Sequence, residues 1–182
     1  MRAFTFLHRV RNKIRVAGTP TIKIASSAKI VACDISITGT NNQLIIQEDV
    51  VVRNTQIEIL GDNCTIFIGK NSIIGHGCYL SAKEGKKLSI GNDCMLSRNV
   101  KIMTSDGHFI YKKGQVINRG RDVIVGSEVW LADGVTILKG VTIGSNSVAG
   151  INATITKNVP ATSIVAGNPA RVIQEGIERW DR

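Results

Sequence analysis

Large aromatic rings are scarce in this chain, 4% of 182 residues, so they cannot build its core. With Val and Ile abundant and 18 glycines, a core of Leu-rich helices is equally unsupported, and many short strands with tight turns are favoured. No apolar run is long enough to span a bilayer, and the N-terminus offers only Ala3 to Leu7 as an apolar stretch between arginines, so neither a membrane helix nor a secretory signal is indicated. The expected location is the cytoplasm, at most peripheral to the inner membrane. No CxxC pair joins Cys33, Cys64, Cys78 and Cys94, which argues against a zinc cage and for small buried hydrophobes. What remains is 43% apolar content and a net charge of +9, the profile of a globular domain large enough to bury a sizeable core.

Acid is absent from residues 1–30, which hold Arg2, Arg9, Arg11, Lys13, Arg15, Lys23 and Lys29, whereas the rest of the chain is nearly balanced. A general nucleic-acid binder would carry basic patches elsewhere with interleaved aromatics, and the body of the chain has neither. Phe4, Leu7, Val10 or Arg11, and Ile14 fall near helical spacing, so residues 1–21 read as a basic, helical N-terminal segment. It would dock on its own domain or a neighbouring subunit, or make a peripheral membrane contact through residues 1–15.

The strongest signal is repetition. Written in sixes, residues 125–160 read VGSEVW, LADGVT, ILKGVT, IGSNSV, AGINAT and ITKNVP. The first positions are Val125, Leu131, Ile137, Ile143, Ala149 and Ile155, and the fifth are Val129, Val135, Val141, Ser147, Ala153 and Val159, all apolar or small. At 43% apolar content, six apolar first positions arise by chance with a probability of about 0.006. The same beat opens at Ile68, Ile74, Ile90 and Leu96, and more loosely at Ile24, Ile30, Ile46 and Val52, giving about seven coils over roughly residues 22–160. Period six suits a short strand and a tight turn repeated around a triangular coil, with Gly or Asn near the corners supplying positive φ. Two segments break the beat: residues 82–87 (AKEGKK), and residues 103–122 (MTSDGHFIYKKGQVINRGRD), a long excursion of the kind that carries function or disorder.

These hexads, together with VTIGSNSVAG, TITKNVP and IVAGNPARVI, resemble the hexapeptide-repeat acyltransferases, and within them the maltose, galactoside and polysaccharide O-acetyltransferase branch. The resemblance implies an all-β, left-handed parallel β-helix over residues 22–171, a C-terminal helix over 172–182, and a homotrimer with active sites between subunits. It implies acetyl-CoA as donor and no metal. It also singles out His108 in Ser105-Asp106-Gly107-His108 as general base and Trp130 in VGSEVWLADG as an active-site wall. Imidazole suits the task, since an acceptor hydroxyl must lose its proton as it attacks a thioester. Asp106 either holds the imidazole tautomer or caps a turn. Ala132, Gly150 and Ile151 match donor contacts along the pantetheine arm, and Lys157 and Arg171 match cations at the nucleotide end. Where related sugar transferases often have an Asn in the coil before the catalytic loop, this chain has Gly77 or Cys78.

Of the other two histidines, His8 reads as a surface residue and His76 as a solvated corner side chain. A γ-type carbonic anhydrase on the same repeat is excluded, because His8, His76 and His108 lack the ligand spacing. Lys112, Lys113, Arg119 and Arg121 form a basic lip on the excursion that could steer an acidic polysaccharide. The leading expectation is therefore acetyl transfer from acetyl-CoA to a hydroxyl of a sugar or bacterial surface polysaccharide. An N-acetyltransferase acting on an amino-sugar nucleotide or other small acceptor and a non-catalytic β-helix scaffold are the alternatives.

Overall fold

The computed structural model describes residues 3–181. From Lys13 onward the chain winds as a three-faced parallel β-solenoid of about six turns. Its faces are a seven-stranded sheet from Lys13–Ala17 to Thr154–Ile155, a six-stranded sheet from Thr21–Ile24 to Thr142–Ile143, and an eight-stranded sheet from Lys29–Val31 to Ala170–Glu175. Each coil visits the faces in that order, so the strands pair in parallel with their equivalents one coil away, at roughly 4.8 Å, except for the last strand, Ala170–Glu175.

The hexad pattern dictates what lies inside. All six first-position residues from Val125 to Ile155 are buried, as are the fifth-position residues from Val129 to Val159 and the degenerate-coil residues Ile24, Ile30, Ile46 and Val52. The parallel register stacks them as continuous ladders, Leu44 on Ile66 on Leu88 and Ile46 on Ile68 on Ile90. Ser147 is a buried polar member, and its Oγ donates to Pro160 O at 2.8 Å, which removes the cost of a lone hydroxyl. Cys33, Cys64, Cys78 and Cys94 are all buried, and burial pushes the Cys78 thiol up to about 11. At the corners, Asn71, Asn99, Asn146 and Asn152 take φ of 55–58°, a conformation their short side chains tolerate.

Both ends differ from the expectation. Helix α1 covers only Phe6–Arg11, and Lys13–Ala17 is already a strand paired with Asp34–Thr38, so the solenoid begins nine residues before Ile22. The reason lies in the apolar spacing: Ile14 packs against the core as a strand residue, whereas Leu7 and Val10 of α1 are 59% and 66% exposed. His8 is more than a surface residue. It closes a capping box with Thr5 at the start of α1, and burial lowers its pKa. A cavity of about 390 Å³ separates α1 from the first coil, lined by Leu7, His8, Arg11, Ala25 and Lys29 among others.

At the other end the expected C-terminal helix is absent from the described residues. Ala170–Glu175 instead turns back as a strand, antiparallel to Ser163–Gly167, because pairing there satisfies the backbone of an otherwise open sheet edge. Residues 176–181 are irregular, and Trp180 returns to the solenoid, its Nε1 donating to Glu128 O at 2.6 Å. Residues 1, 2 and 182 of the two expected terminal helices lie outside the described residues. No described helix is long and apolar enough to cross a membrane.

Candidate active site

The excursion leaves the seven-stranded face after Lys101–Met103 and rejoins the six-stranded face at Val123. Its tip is a short antiparallel pair, Tyr111–Lys112 with Gln115–Val116, whose turn residues Lys113 and Gly114 both have positive φ as a tight hairpin requires. The root is closed by Arg121 N donating to Thr104 O at 2.9 Å.

The two interruptions of the hexad beat meet here. Residues 82–87 occupy the same corner one coil below, and Glu84, with φ of 59°, turns its carboxylate up into the root. Oε1 accepts from the Ser105 hydroxyl and Oε2 from Gly120 N at 2.9 Å, so one side chain ties both ends of the excursion. Burial opposes ionisation of Glu84, but the hydrogen bonds from Ser105 and Gly120 outweigh it and hold the carboxyl below its ordinary range. Lys83 N donates to Thr104 Oγ1 at 2.9 Å, and Lys87 N donates to Asp122 Oδ1 at 2.8 Å, completing the seam.

From the coil above, on the same corner, Lys139 reaches down to Asp106 Oδ2 and to Asn118 O, the latter at 2.9 Å. The hydrogen bond from Lys139, only partly offset by burial, lowers the Asp106 pKa, and Asn118 adds to the effect. The described partners of Asp106 are thus Lys139 and Asn118, not the His108 ring. His108 itself is exposed, and its backbone carbonyl accepts from Asn118 Nδ2 at 2.8 Å. Of the basic lip, Arg119 lies over the Phe109 ring at 4.8 Å, and Lys112, Lys113 and Arg121 are exposed. Beneath the root, on the outer side of the seven-stranded face, Glu58 Oε2 gathers Tyr79 OH at 2.5 Å and Lys83 Nζ at 2.8 Å.

Trp130 stands elsewhere. It projects from the eight-stranded face, its Nε1 donating to Ser97 Oγ at 3.2 Å and its ring 6.0 Å from that of Trp180. That face is the side of the triangle opposite the corner from which His108 emerges, so one chain does not bring the two together. Ala132 and Gly150 lie at the end of the same face as Trp130. Ala132 N donates to Ala149 O and Gly150 N to Val165 O, which places them in one row of small residues with Gly75, Ser97 and Ala166. A Cβ on Gly150 would stand 3.3 Å from the Ala166 methyl, so the row admits a close neighbour only while it stays small. Ile151 projects beside it, 67% exposed. Lys157 and Arg171, fourteen residues apart in sequence, line one pocket of about 130 Å³ at the end of the solenoid with Asn158 and Ala170. Sequence reasoning missed Glu84, Asn118, Lys139 and Trp180. The one available signal was that Glu84 sits in the other break of the repeat.

This fold has known relatives. A polysialic acid O-acetyltransferase of Neisseria meningitidis is 36% identical over 114 residues, 62% of this chain and 52% of that protein. One from Escherichia coli O1:K1 / APEC is 39% identical over 114 residues, 37% of its length, so the chain spans about half or less of these two relatives. The crystal structure of a polysialic acid O-acetyltransferase superposes with a TM-score of 0.83 at 30% identity, covering 94% of this chain and 90% of that one. The chain belongs to the hexapeptide-repeat acyltransferases. Its solenoid is accordingly the left-handed β-helix of that family, although no family model matches the sequence. Left-handed winding runs against the usual right-handed crossover of parallel strands, which is why pattern alone could not fix it.

Proposed function

We propose that this hexapeptide-repeat protein is an O-acetyltransferase. It would move acetyl from acetyl-CoA to a hydroxyl of a bacterial surface polysaccharide, with His108 as general base, as a homotrimer whose sites lie between subunits. The observation that carries the reading is the excursion: a regular solenoid breaks its repeat to hold a histidine out at one corner and braces it from the coils below and above. The trimer is supported by the separation of His108 from Trp130, which a second copy can close and a single chain does not.

The small-residue row at Ala132 and Gly150 and the paired cations Lys157 and Arg171 fit a donor with a narrow thioester arm and a phosphorylated end. Acetyl-CoA would supply the acetyl group as an activated thioester. A His108 ring nitrogen takes the proton from the acceptor hydroxyl as its oxygen bonds to the acetyl carbon, then returns that proton to the departing thiolate. No covalent enzyme intermediate is needed. Two relatives are named for polysialic acid, a polyanion, and the exposed cations of the lip suit an acceptor of that charge. Thiol release from acetyl-CoA tests the reading, with polysialic acid, a neutral polysaccharide and an amino-sugar nucleotide as acceptors. Release with polysialic acid alone, weakened by salt, supports it. Release only with the amino-sugar nucleotide would establish the N-acetyltransferase, and no donor binding by calorimetry would establish the scaffold. The double variant Lys157→Met/Arg171→Met is expected to raise the donor KM about tenfold or more while leaving kcat nearly unchanged, as loss of uniform binding does.

The N-terminal end supports a separate contact. Exposed Leu7 and Val10 on α1 stand among Arg9, Arg11, Lys13 and Lys29, the pairing of apolar and cationic groups that anionic lipid surfaces attract. Cosedimentation with phosphatidylserine vesicles, but not with phosphatidylcholine vesicles, is expected, and Leu7→Asp/Val10→Asp should abolish it. Equal sedimentation of that variant would remove α1 as the contact.

A further inference from the structure

We infer that Asn118 and Lys139 form a positioning bracket for His108, an inference that rests on His108 being the base. Asn118 stands ten residues beyond His108, on the returning arm of the excursion, and its side chain grips the outgoing arm at alternate residues. Nδ2 donates to Asp106 Oδ2 at 2.9 Å and to His108 O at 2.8 Å, and Oδ1 accepts from Ile110 N at 2.6 Å. One amide therefore holds the side chain of Asp106 before the histidine and the backbone at His108 and Ile110. Both polar atoms of its side chain are engaged, and the pattern needs both a donor and an acceptor, which restricts the position to a primary amide.

Lys139 connects this clamp to the solenoid. It projects from the coil above, with its side chain 16% exposed, and donates to Asp106 Oδ2 and to Asn118 O, so the outgoing and returning arms share one ammonium. Asp106 acquires its role from this arrangement. It is a strut between Lys139 and Asn118, with no described contact to the imidazole. An exposed loop with so few buried apolar contacts would otherwise sample many geometries. General-base catalysis needs the ring nitrogen within hydrogen-bond reach of the acceptor hydroxyl, and a displacement near 1 Å costs about a hundredfold. The bracket replaces apolar packing with directed hydrogen bonds at the one place where a side chain must stay exposed.

The test compares Asn118→Ala, Asn118→Asp, Lys139→Met and Lys139→Arg with wild type and His108→Ala, reading kcat, donor KM and the hydrogen exchange of the Ile110 amide. Asn118→Ala and Lys139→Met are expected to lower kcat about ten- to a hundredfold with donor KM unchanged. Asn118→Ala should also free the Ile110 amide to exchange, and Lys139→Arg should recover most of the loss. Asn118→Asp keeps the acceptor for Ile110 but loses the donor to His108 O, so exchange should stay slow while kcat falls. Wild-type kcat in Asn118→Ala beside an inactive His108→Ala would overturn the bracket alone. Full turnover in His108→Ala would overturn the base assignment and the bracket's purpose with it, whatever the exchange shows.

Discussion

His108→Ala lowers kcat by about a hundredfold or more and leaves donor affinity intact, the range set by loss of a general base. The residue is exposed on the excursion and its backbone carbonyl is held by Asn118, so truncation removes the proposed base without opening the core. The proposed donor-side residues Ala132, Gly150, Lys157 and Arg171 belong to other parts of the solenoid, which is why calorimetric binding of acetyl-CoA should survive. His108→Gln, which retains polarity without the basic nitrogen, should be as slow as the alanine variant. Raised pH should restore part of the rate in both, since a more basic medium deprotonates the acceptor hydroxyl without help. Turnover within twofold of wild type in either variant would take His108 out of the mechanism and leave the histidine as an ordinary loop residue.

Much of this was legible in the chain because the hexad is a local code with a global meaning. An apolar first position and an apolar or small fifth position every six residues call for a coil that buries both, and the inward ladders at Val125–Ile155 follow from it. The break in the repeat drew attention to His108, but its role as the proposed base came from the family resemblance and not from the break itself. The ends were not, because they answer to contacts with no period. Ile14 is drawn into the seven-stranded face, and the segment after Gly167 pairs with Ser163–Gly167 before any helix can form. The bracing of the loop was illegible for a related reason. Glu84, Asn118 and Lys139 lie 24 residues before, 10 after and 31 after His108, and each has an ordinary charged or polar side chain for its position. Only the winding, which sets successive coils on one corner, makes them neighbours. Asp106 shows the limit of motif reasoning: proximity in sequence suggested the imidazole as its partner, while the corner above supplied a cation.

Ile66→Ala is expected to destabilise the folded protein by about 2–5 kcal/mol, the cost of lost transfer free energy plus an unfilled cavity. Ile66 is 0% exposed and stacks between Leu44 one coil below and Leu88 one coil above, in register with both. In a solenoid each coil touches little beyond its neighbours, so the loss falls on the same coil and the two beside it, and no distant part of the core can close the gap. Truncating Ile151 is the control. It is the same chemical change on a side chain 67% exposed, and its effect should stay within about 0.5 kcal/mol. Denaturant midpoints compared at one protein concentration decide the matter, the fixed concentration keeping any association between chains from adding to the difference. A midpoint for Ile66→Ala indistinguishable from that of Ile151→Ala would mean that the inner ladder does not limit stability. The hexad would then owe its regularity to the hydrogen-bonded corners, where Asn and Asp residues hold positive φ, and the apolar first positions would be filling space that those corners had already defined.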